Sequence, residues 1–277
     1  LGIQKTKISS FITITLSILN IVFSSVLVLS YNLDVFGVAL GTLFASFITV
    51  IIFSFFTYRF IIKKFKLIPR FEKIVIKSKL IRLFNINLDI FIRTLFLTFS
   101  FLWVTYLSSK FGEDYLAVNT ILMQFIILAA FFLDAYAFST EGIVGFTIGR
   151  KIKNSFLTVV KNSIQISFIT ALILSFFYII FFKQIINIIT DIELLRFISY
   201  KHFLWVIIIP PIASFCYQLD GIFIGASQTK EMRNAMIISV VTFIVISINL
   251  TKYFGNHGLW FSLLCFMILR SLTLKFY

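Results

Sequence analysis

Eight long apolar runs restrict the folds available to this chain more than any other feature of its sequence. All but the longer fourth run are close to the roughly 20 residues that an α-helix needs to cross the hydrocarbon core of a bilayer. We place them at Ile8–Leu29, Phe36–Tyr58, Leu83–Leu107, Tyr115–Ile148, Phe156–Phe182, Phe203–Ala226, Ala235–Tyr253 and Gly258–Leu274. Only 13% of the residues are charged, against about 25% in soluble domains. The sequence therefore predicts an all-α, polytopic membrane protein, in which the long fourth run bends or extends beyond the bilayer.

The basic residues are distributed unevenly among the loops between these runs. Most of the 25 lysines and arginines lie in alternate loops, including the stretch from Arg59 to Arg82. Cytoplasmic loops of membrane proteins collect Lys and Arg, so this side, and the C-terminus with it, is predicted to be cytoplasmic. The same rule explains the net charge of +14 without a nucleic-acid partner. We expect a monomeric, multi-pass protein of the cell inner (cytoplasmic) membrane, with the lipid bilayer as its surroundings.

A short pattern occurs twice in the chain, about 220 residues apart, and internal repeats of this kind build many secondary transporters. The matched pairs are Gly2 with Gly225, Lys7 with Lys230, and Gly37 with Gly258. The offset covers six apolar runs, an even number, so both copies are expected to have the same orientation in the membrane. It also suggests that about 140 to 150 residues of the first repeat precede Leu1 in a longer protein. The chain would then be the C-terminal two thirds of a transporter.

These patterns divide the chain into three parts. Residues 1–58 are expected to be the remainder of an N-terminal lobe, 59–82 a basic cytoplasmic linker, and 83–277 a C-terminal lobe. The linker has nine basic residues and apolar positions at helical spacing, which favours an amphipathic helix on the anionic inner leaflet. We favour a plain connector over a lipid-sensing element.

Ionisable residues inside the apolar runs are candidates for function, because a charge within a bilayer is costly and faces a cavity or a partner. They are Asp89, Arg93, Asp134, Glu141 and Asp220. Asp89 and Arg93 are four residues apart on one helical face and are expected to neutralise each other. Glu141 lies near the cytoplasmic end of its run, where packing or capping competes with a functional role. Asp134 lies deeper, with no cation nearby in the sequence, and is the better proton or cation site.

Two adjacent prolines, Pro210 and Pro211, precede Asp220 in the same apolar run. They remove backbone donors and are expected to bend or break the helix. Freed carbonyls beside a buried carboxylate are the ingredients of a cation site in discontinuous transporter helices. The alternative is a kink needed for packing, with Asp220 bonded to a neighbouring Ser or Asn.

Common nucleotide-binding, metal-binding and catalytic motifs do not occur in the sequence, which has no Walker loop, HExxH, CxxC or interpretable Ser/His/Asp set. His202 and His257 lie at predicted outer edges of apolar runs, where an interfacial position is favoured over metal binding. An ATP-driven pump or a metalloenzyme therefore has no support. We predict that the protein is not an enzyme and has no cofactor.

Several segments resemble one transporter family. QLDGIFIGASQTKEMRNAM (Gln218–Met236) resembles the segment joining the tenth and eleventh helices in the DNA-damage-inducible F (DinF) branch of the multidrug and toxic compound extrusion (MATE) family. LDAYAFSTEGIVGFTIGRK (Leu133–Lys151) is similar to the eighth helix and the following loop, and NLDIFIRT (Asn87–Thr94) to the start of the seventh. The resemblance implies twelve helices in two lobes, with helices five to twelve present here.

The resemblance also implies export of small organic cations and other amphipathic compounds by alternating access, driven by inward flow of H⁺ or Na⁺. The coupling site in this branch uses an Asp on the first helix, and an Asn and an Asp one turn apart on the fifth. Asn20 matches the Asn, but Ser24, which cannot ionise, occupies the position of the fifth-helix Asp. Coupling would then rest on the first-helix Asp or move to Asp134 or Asp220. The prediction is a secondary active antiporter.

Three alternatives remain open from the sequence. A lipid-linked precursor flippase of the same superfamily would hold a pyrophosphate with Arg and Lys. We count only Arg93 as basic within the apolar runs, because Lys161 and Arg270, near the ends of their runs, are assigned to the cytoplasmic loops and Lys252 to the outer side. A membrane-embedded lipid enzyme would need a cluster of His, Asp or Cys at one membrane face, and none is evident. A fragment without activity of its own is the third alternative.

Overall fold

The computed structural model describes residues 6–65 and 76–276. Its helices are α1 (Thr6–Leu29), α2 (Asp34–Phe65), α3 (Lys77–Ser109), α4 (Glu113–Gly149), α5 (Lys153–Ile189), α6 (Glu193–Lys201), α7 (Phe203–Gly225) and α8 (Thr229–Lys275). No strand occurs within these described ranges. Seven of the helices are long and apolar enough to cross a membrane; the exception is α6, with nine residues. Of the range 59–82, in which an amphipathic helix is predicted, residues 59–65 continue α2, residues 77–82 begin α3, and residues 66–75 lie outside the described part of the chain.

Helix α8 has 47 residues, too many for one crossing, and it is broken at Gly255. The φ of 55° and ψ of −134° at this residue are non-helical, and this conformation is sterically unfavourable for residues that have a Cβ. The segments on either side fold back on each other, since the rings of Phe243 and Phe266 have centroids 5.2 Å apart. This helical hairpin corresponds to the two separate apolar runs predicted at the end of the chain.

Contacts between helices divide the chain into two units, Leu1–Leu80 and Ile81–Tyr277. In the first unit, α2 lies directly on α1. A Cβ on Gly37 would be 3.3 Å from the carbonyl oxygen of Leu27, and one on Gly41 would be 2.6 Å from the backbone nitrogen of Ser24. Small residues at this spacing let membrane helices approach closely. The predicted linker boundaries at 59–82 stay a prediction.

The same close contact recurs in the second unit at the positions related by the sequence repeat. Gly258 matches Gly37, and its Cβ would lie 2.2 Å from the carbonyl oxygen of Leu250. Leu250 follows Leu27 by 223 residues, the offset that separates the matched lysines. One helix-pair geometry therefore occurs twice in the chain, which supports the internal repeat.

Helix α7 packs along α4 through two glycines one turn apart. A Cβ on Gly221 would lie 2.4 Å from the carbonyl oxygen of Ala137, and one on Gly225 would lie 2.6 Å from that of Glu141. The carboxyl-terminal half of α7 is thus held directly against α4. This contact determines the depth at which the acidic residues of the two helices face one another.

Candidate functional site

A buried ionic cluster joins three helices of the second unit. Asp220 on α7 lies between the guanidinium groups of Arg93 on α3 and Arg270 on α8. Nη2 of Arg270 donates to Oδ2 of Asp220 at 2.6 Å, and Nη2 of Arg93 donates to the same oxygen. Asp220 is 5% exposed and Arg270 is 2% exposed. We call these three residues the Arg–Asp–Arg cluster.

The prediction of an ion pair between Asp89 and Arg93 is wrong, because each residue binds another partner. Oδ1 of Asp89 accepts a bond of 2.5 Å from Nη1 of Arg233, and Oδ2 accepts one of 3.1 Å from the hydroxyl of Thr229. Both partners are on α8, and Arg93 is paired with Asp220 on α7, so both residues of the expected pair turn to other helices. Spacing within one helix shows which side chains share a face, but it does not show which partners other helices bring to that face.

Two further expectations about the cluster are also wrong. Arg270 was assigned to a cytoplasmic loop, yet it is buried within the last apolar run, so Arg93 is not the only basic residue there. Asp220 is bonded to two arginines and not to a Ser or Asn. Charge counting by loops cannot separate an exposed basic residue near a helix end from one that turns inward to a carboxylate.

Asp134 on α4 lies beside the Arg–Asp–Arg cluster. It is half-buried, and its charge interacts with those of Asp220, Arg93 and Arg270. Among the described residues it has no ion pair within bonding distance. Glu141, two turns further along α4, is half-buried and packs through its backbone against Gly225. The structure therefore brings Asp134 and Asp220 to one site and places Glu141 towards the end of the helix contact.

Pro210 and Pro211 do not break α7, since the helix runs through both; of the two expected outcomes, a break is wrong and a bend stays a prediction. Pro211 has no N–H to offer the carbonyl of Ile207, four residues earlier. That carbonyl instead accepts a bond of 2.7 Å from the hydroxyl of Ser175 on α5. A neighbouring helix thus satisfies the freed group, as buried backbone in a membrane requires. Ile207 is more than three helical turns from Asp220, so the two do not form the cation site considered above.

The two residues matched to the fifth-helix coupling positions lie in a polar cluster of the first unit. The hydroxyl of Ser24 donates to Oδ1 of Asn20 at 3.3 Å, and Nδ2 of Asn20 donates to the hydroxyl of Thr42 on α2 at 3.1 Å. Thr42 was missed in the sequence, where a lone Thr in an apolar run gives no signal. These three side chains offer hydroxyl and amide oxygens without a carboxylate.

A second polar cluster in the larger unit, centred on Asn119 of α4, was also missed. Nδ2 of Asn119 donates to Ser108 at 2.8 Å and to Asn256 at 2.6 Å. Its Oδ1 accepts bonds from Asn256 at 3.0 Å and from the indole of Trp260 at 2.9 Å. Asn119 is 2% exposed, so these bonds replace water for a buried amide. They tie α3 and α4 to the residues that follow the break at Gly255.

The two histidines lie next to this cluster and stack on each other. The ring centroids of His202 and His257 are 4.3 Å apart, and the indole of Trp205 donates to Nδ1 of His257 at 3.1 Å. His202 is buried, with Nδ1 placed 2.8 Å from the carbonyl oxygen of Ile198. Burial lowers the pKa of His202 below its usual 6.5, against the opposing effect of that backbone bond. The ring is therefore neutral at physiological pH.

The fold and the sites describe a multi-pass helical membrane protein with charged residues buried in its larger unit. Residues 90–251 match the family model described as MatE, and the chain belongs to this family, that of the MATE transporters. This confirms the family and the all-α fold class predicted from the sequence. Because the family is one of transporters, a membrane-embedded lipid enzyme is set aside.

Two curated relatives extend over nearly the whole chain. DNA damage-inducible protein F of Escherichia coli is 32% identical over 274 residues, which cover 99% of this chain and 59% of that protein. Protein DETOXIFICATION 43 of Arabidopsis thaliana is 24% identical over 274 residues, covering 98% and 50%. The first similarity supports the DinF-like branch. The chain spans between half and three fifths of the length of these relatives.

Solved structures share the fold at low sequence identity. The Vibrio cholerae MATE transporter VcmN in the bent form gives a TM-score of 0.81 at 16% identity, covering 96% of this chain and 60% of that one. The outward-facing conformation of a multidrug resistance MATE family transporter gives 0.82 at 16% identity, covering 95% and 59%. At this identity the comparison shows the architecture of the helices and no more.

Proposed function

We propose that the whole protein is a secondary active antiporter, which exports small amphipathic or cationic compounds in exchange for H⁺ or Na⁺ by alternating access. Family membership and the identity to the DinF protein support transport. The observation that carries the antiport mechanism is Asp134, a half-buried carboxylate beside buried charges in an apolar unit. Such residues mark ion or substrate pathways in membrane proteins.

The same proposal covers the organisation of the protein. Residues 1–58 belong to an N-terminal lobe, 59–82 to a cytoplasmic linker and 83–277 to a C-terminal lobe. The protein is a monomer in the inner membrane with its C-terminus in the cytoplasm, and it needs no cofactor beyond the coupling ion. The basic character of one set of loops supports this orientation.

Among the candidate carboxylates, Asp134 is the best placed to exchange an ion. Oδ2 of Asp220 is occupied by two guanidinium groups, so a proton or a sodium ion would have to displace both. Asp89 is held by Arg233 and Thr229, which favours a structural role. In the first unit, Asn20 and Ser24 can ligate a cation through oxygen but cannot carry a proton at physiological pH.

A lipid-linked precursor flippase is the second candidate, and buried Arg270 is the observation that favours it. Two guanidinium groups in the interior are what recognition of a pyrophosphate would require. Both Arg93 and Arg270, however, are bonded to Asp220, so neither charge is fully available to a phosphate. The balance of charges supports the antiporter.

Ion-driven efflux of ethidium from cells that express the full-length gene tests the proposal. Efflux that a protonophore abolishes indicates proton coupling, and efflux that follows the sodium gradient indicates sodium coupling. Asp134→Asn is expected to reduce efflux at least tenfold. Asp191→Asn is the control, because that side chain is fully exposed. Well-expressed wild-type protein that moves no dye under either gradient would show that the proposal is wrong.

A further inference from the structure

The Arg–Asp–Arg cluster has one more positive than negative charge, and it lies inside the apolar unit. Two guanidinium groups face one carboxylate there. A net charge removed from water is costly unless a nearby group compensates it. The cluster also has unused donors, because Nε of Arg93 and Nε of Arg270 are buried without a hydrogen-bond partner. One negative charge and acceptor oxygens are what this site needs.

Asp134 has both properties. The contact of Gly221 with Ala137 fixes α4 against α7, and Asp134 is one turn before Ala137, at the depth of the cluster. Its charge interacts with those of all three cluster residues. A carboxylate has two acceptor oxygens, and arginine is its strongest partner among the side chains. Asp134 uses neither oxygen in an ion pair within the described part of the chain.

We propose that Asp134 is the counter-charge of the Arg–Asp–Arg cluster, and that one proton on its carboxyl switches the interior of this unit between net charges of zero and +1. With Asp134 ionised, two carboxylates balance two guanidinium groups, and a cationic compound meets a neutral site with free carboxylate oxygens. With Asp134 protonated, the same compound meets a net positive charge and is repelled. The inference rests on the proposed function and gives the exchange of proton for cation a residue and a cause.

The surroundings of Asp134 favour a proton over a sodium ion at this site. Arg93 on α3 and Arg270 on α8 place two positive charges nearby, and Asp220 has already committed one oxygen to both. A sodium ion needs several oxygen ligands, whereas a proton needs a single carboxyl oxygen. The other titratable groups that interact with Asp134 are Cys216 and Tyr217 on α7, and both are uncharged at neutral pH.

A charge-balance cycle in the full-length protein tests the pairing through thermal unfolding in detergent. Asp134→Asn leaves the site at +1 and is expected to lower Tm. In an Arg93→Gln background the site is at −1, and the same change restores a net charge of zero. Asp134→Asn is therefore expected to raise Tm or leave it unchanged there, which is a reversal of sign. Arg93→Lys keeps the charge, and in that background Asp134→Asn is expected to lower Tm as in the wild type.

Lowering the pH supplies a second readout, because a protonated Asp134 side chain is neutral, as the Asn side chain is. The difference in Tm between the wild type and Asp134→Asn is expected to shrink as pH falls. Proton-driven efflux of ethidium is expected to stay at least tenfold reduced in the double variant, because charge balance is restored without a group that titrates. A double variant with full proton-driven efflux would overturn the switch.

Two results separate failure of this inference from failure of the proposed function. If Asp134→Asn changes Tm equally in the wild-type and Arg93→Gln backgrounds, Asp134 is not the counter-charge, whatever the protein transports. If the sign reversal holds but the wild type moves no cation, the antiport function fails and the coupling role of Asp134 fails with it. The sign reversal together with wild-type efflux that depends on Asp134 supports both.

Discussion

Substitution of Gly221 by Ala tests the close approach of α7 to α4. The added Cβ would lie 2.4 Å from the carbonyl oxygen of Ala137 and 2.9 Å from its Cα. Ordinary van der Waals contact begins at 3.4 Å, so the helices must separate by about 1 Å, which a close-packed interior resists. Backbone atoms, unlike the end of a flexible side chain, cannot move aside alone. The second contact, at Gly225, opposes the same separation.

The magnitude follows from two opposing effects. Overpacking of this kind costs about 1–3 kcal/mol, whereas replacement of Gly by Ala within a helix contributes about 0.5–1 kcal/mol of stability. We expect a net loss of about 1–2 kcal/mol, which corresponds to a fall in Tm of about 2–8 °C for a unit of roughly 200 residues. Thermal unfolding of the full-length protein in detergent, followed by size-exclusion chromatography, measures it.

Gly142→Ala is the matched control, because this glycine is on α4, the helix that Gly221 contacts, and a Cβ there meets nothing within 4 Å. Helix propensity alone acts at this site, so Gly142→Ala is expected to leave Tm unchanged or to raise it. Equal Tm values for the Gly221 and Gly142 variants would refute the close contact between the two helices.

Three further predictions concern the polar groups of the larger unit. Ser175→Ala is expected to cost about 1 kcal/mol by removing the donor to the Ile207 carbonyl; in a Pro211→Ala background, which supplies a new N–H, the cost is expected to be smaller, and an equal cost in both backgrounds would contradict the bond. Asn119→Leu leaves buried partners unpaired and is expected to cost about 2–4 kcal/mol, measured as a loss of Tm; no loss would show that the amide is not a structural centre. Burial lowers the pKa of His202 below its ordinary value of 6.5, so the folded protein favours the neutral ring. The neutral ring therefore contributes to folding stability above pH 6.5, and this contribution is lost as pH falls below that value. Tm is therefore expected to decline as pH falls below 6.5, less steeply in His202→Gln; equal slopes would exclude this histidine as the cause.

The helices could be predicted from the sequence because crossing a membrane depends on local properties, the length and apolarity of a run. The hairpin of α8 was recognised as two runs, although no loop separates them, because His257 and its neighbours interrupt the apolar pattern. Helix α6 was missed, since its nine residues are too few to cross and its composition is mixed. The resemblance to the MATE family depended on short segments of mixed polarity, where chance similarity is small.

Charge partners could not be predicted in the same way. Asp89 and Arg93 have ideal spacing for a bond within α3, yet Arg233 and Asp220 reach them from α8 and α7. Arg270 resembles the many basic residues near cytoplasmic helix ends, and only its burial shows that it faces a carboxylate. The partners in the pairs Asp89–Arg233 and Arg93–Asp220 are more than a hundred positions apart along the chain. They depend on helix packing, which a single sequence does not specify.

The break at Gly255 has a consequence for how the last two crossings enter and move in the membrane. The two segments of α8 are joined by a turn at one residue, and Gly258 contacts Leu250 directly after it. The connection is therefore too short for the segments to move apart. They are expected to insert into the bilayer as a pair during synthesis, and to shift together in any later rearrangement. A tag or protease site placed at this turn would separate helices that act as one body, whereas the loop before α5 lies between helices without such a contact.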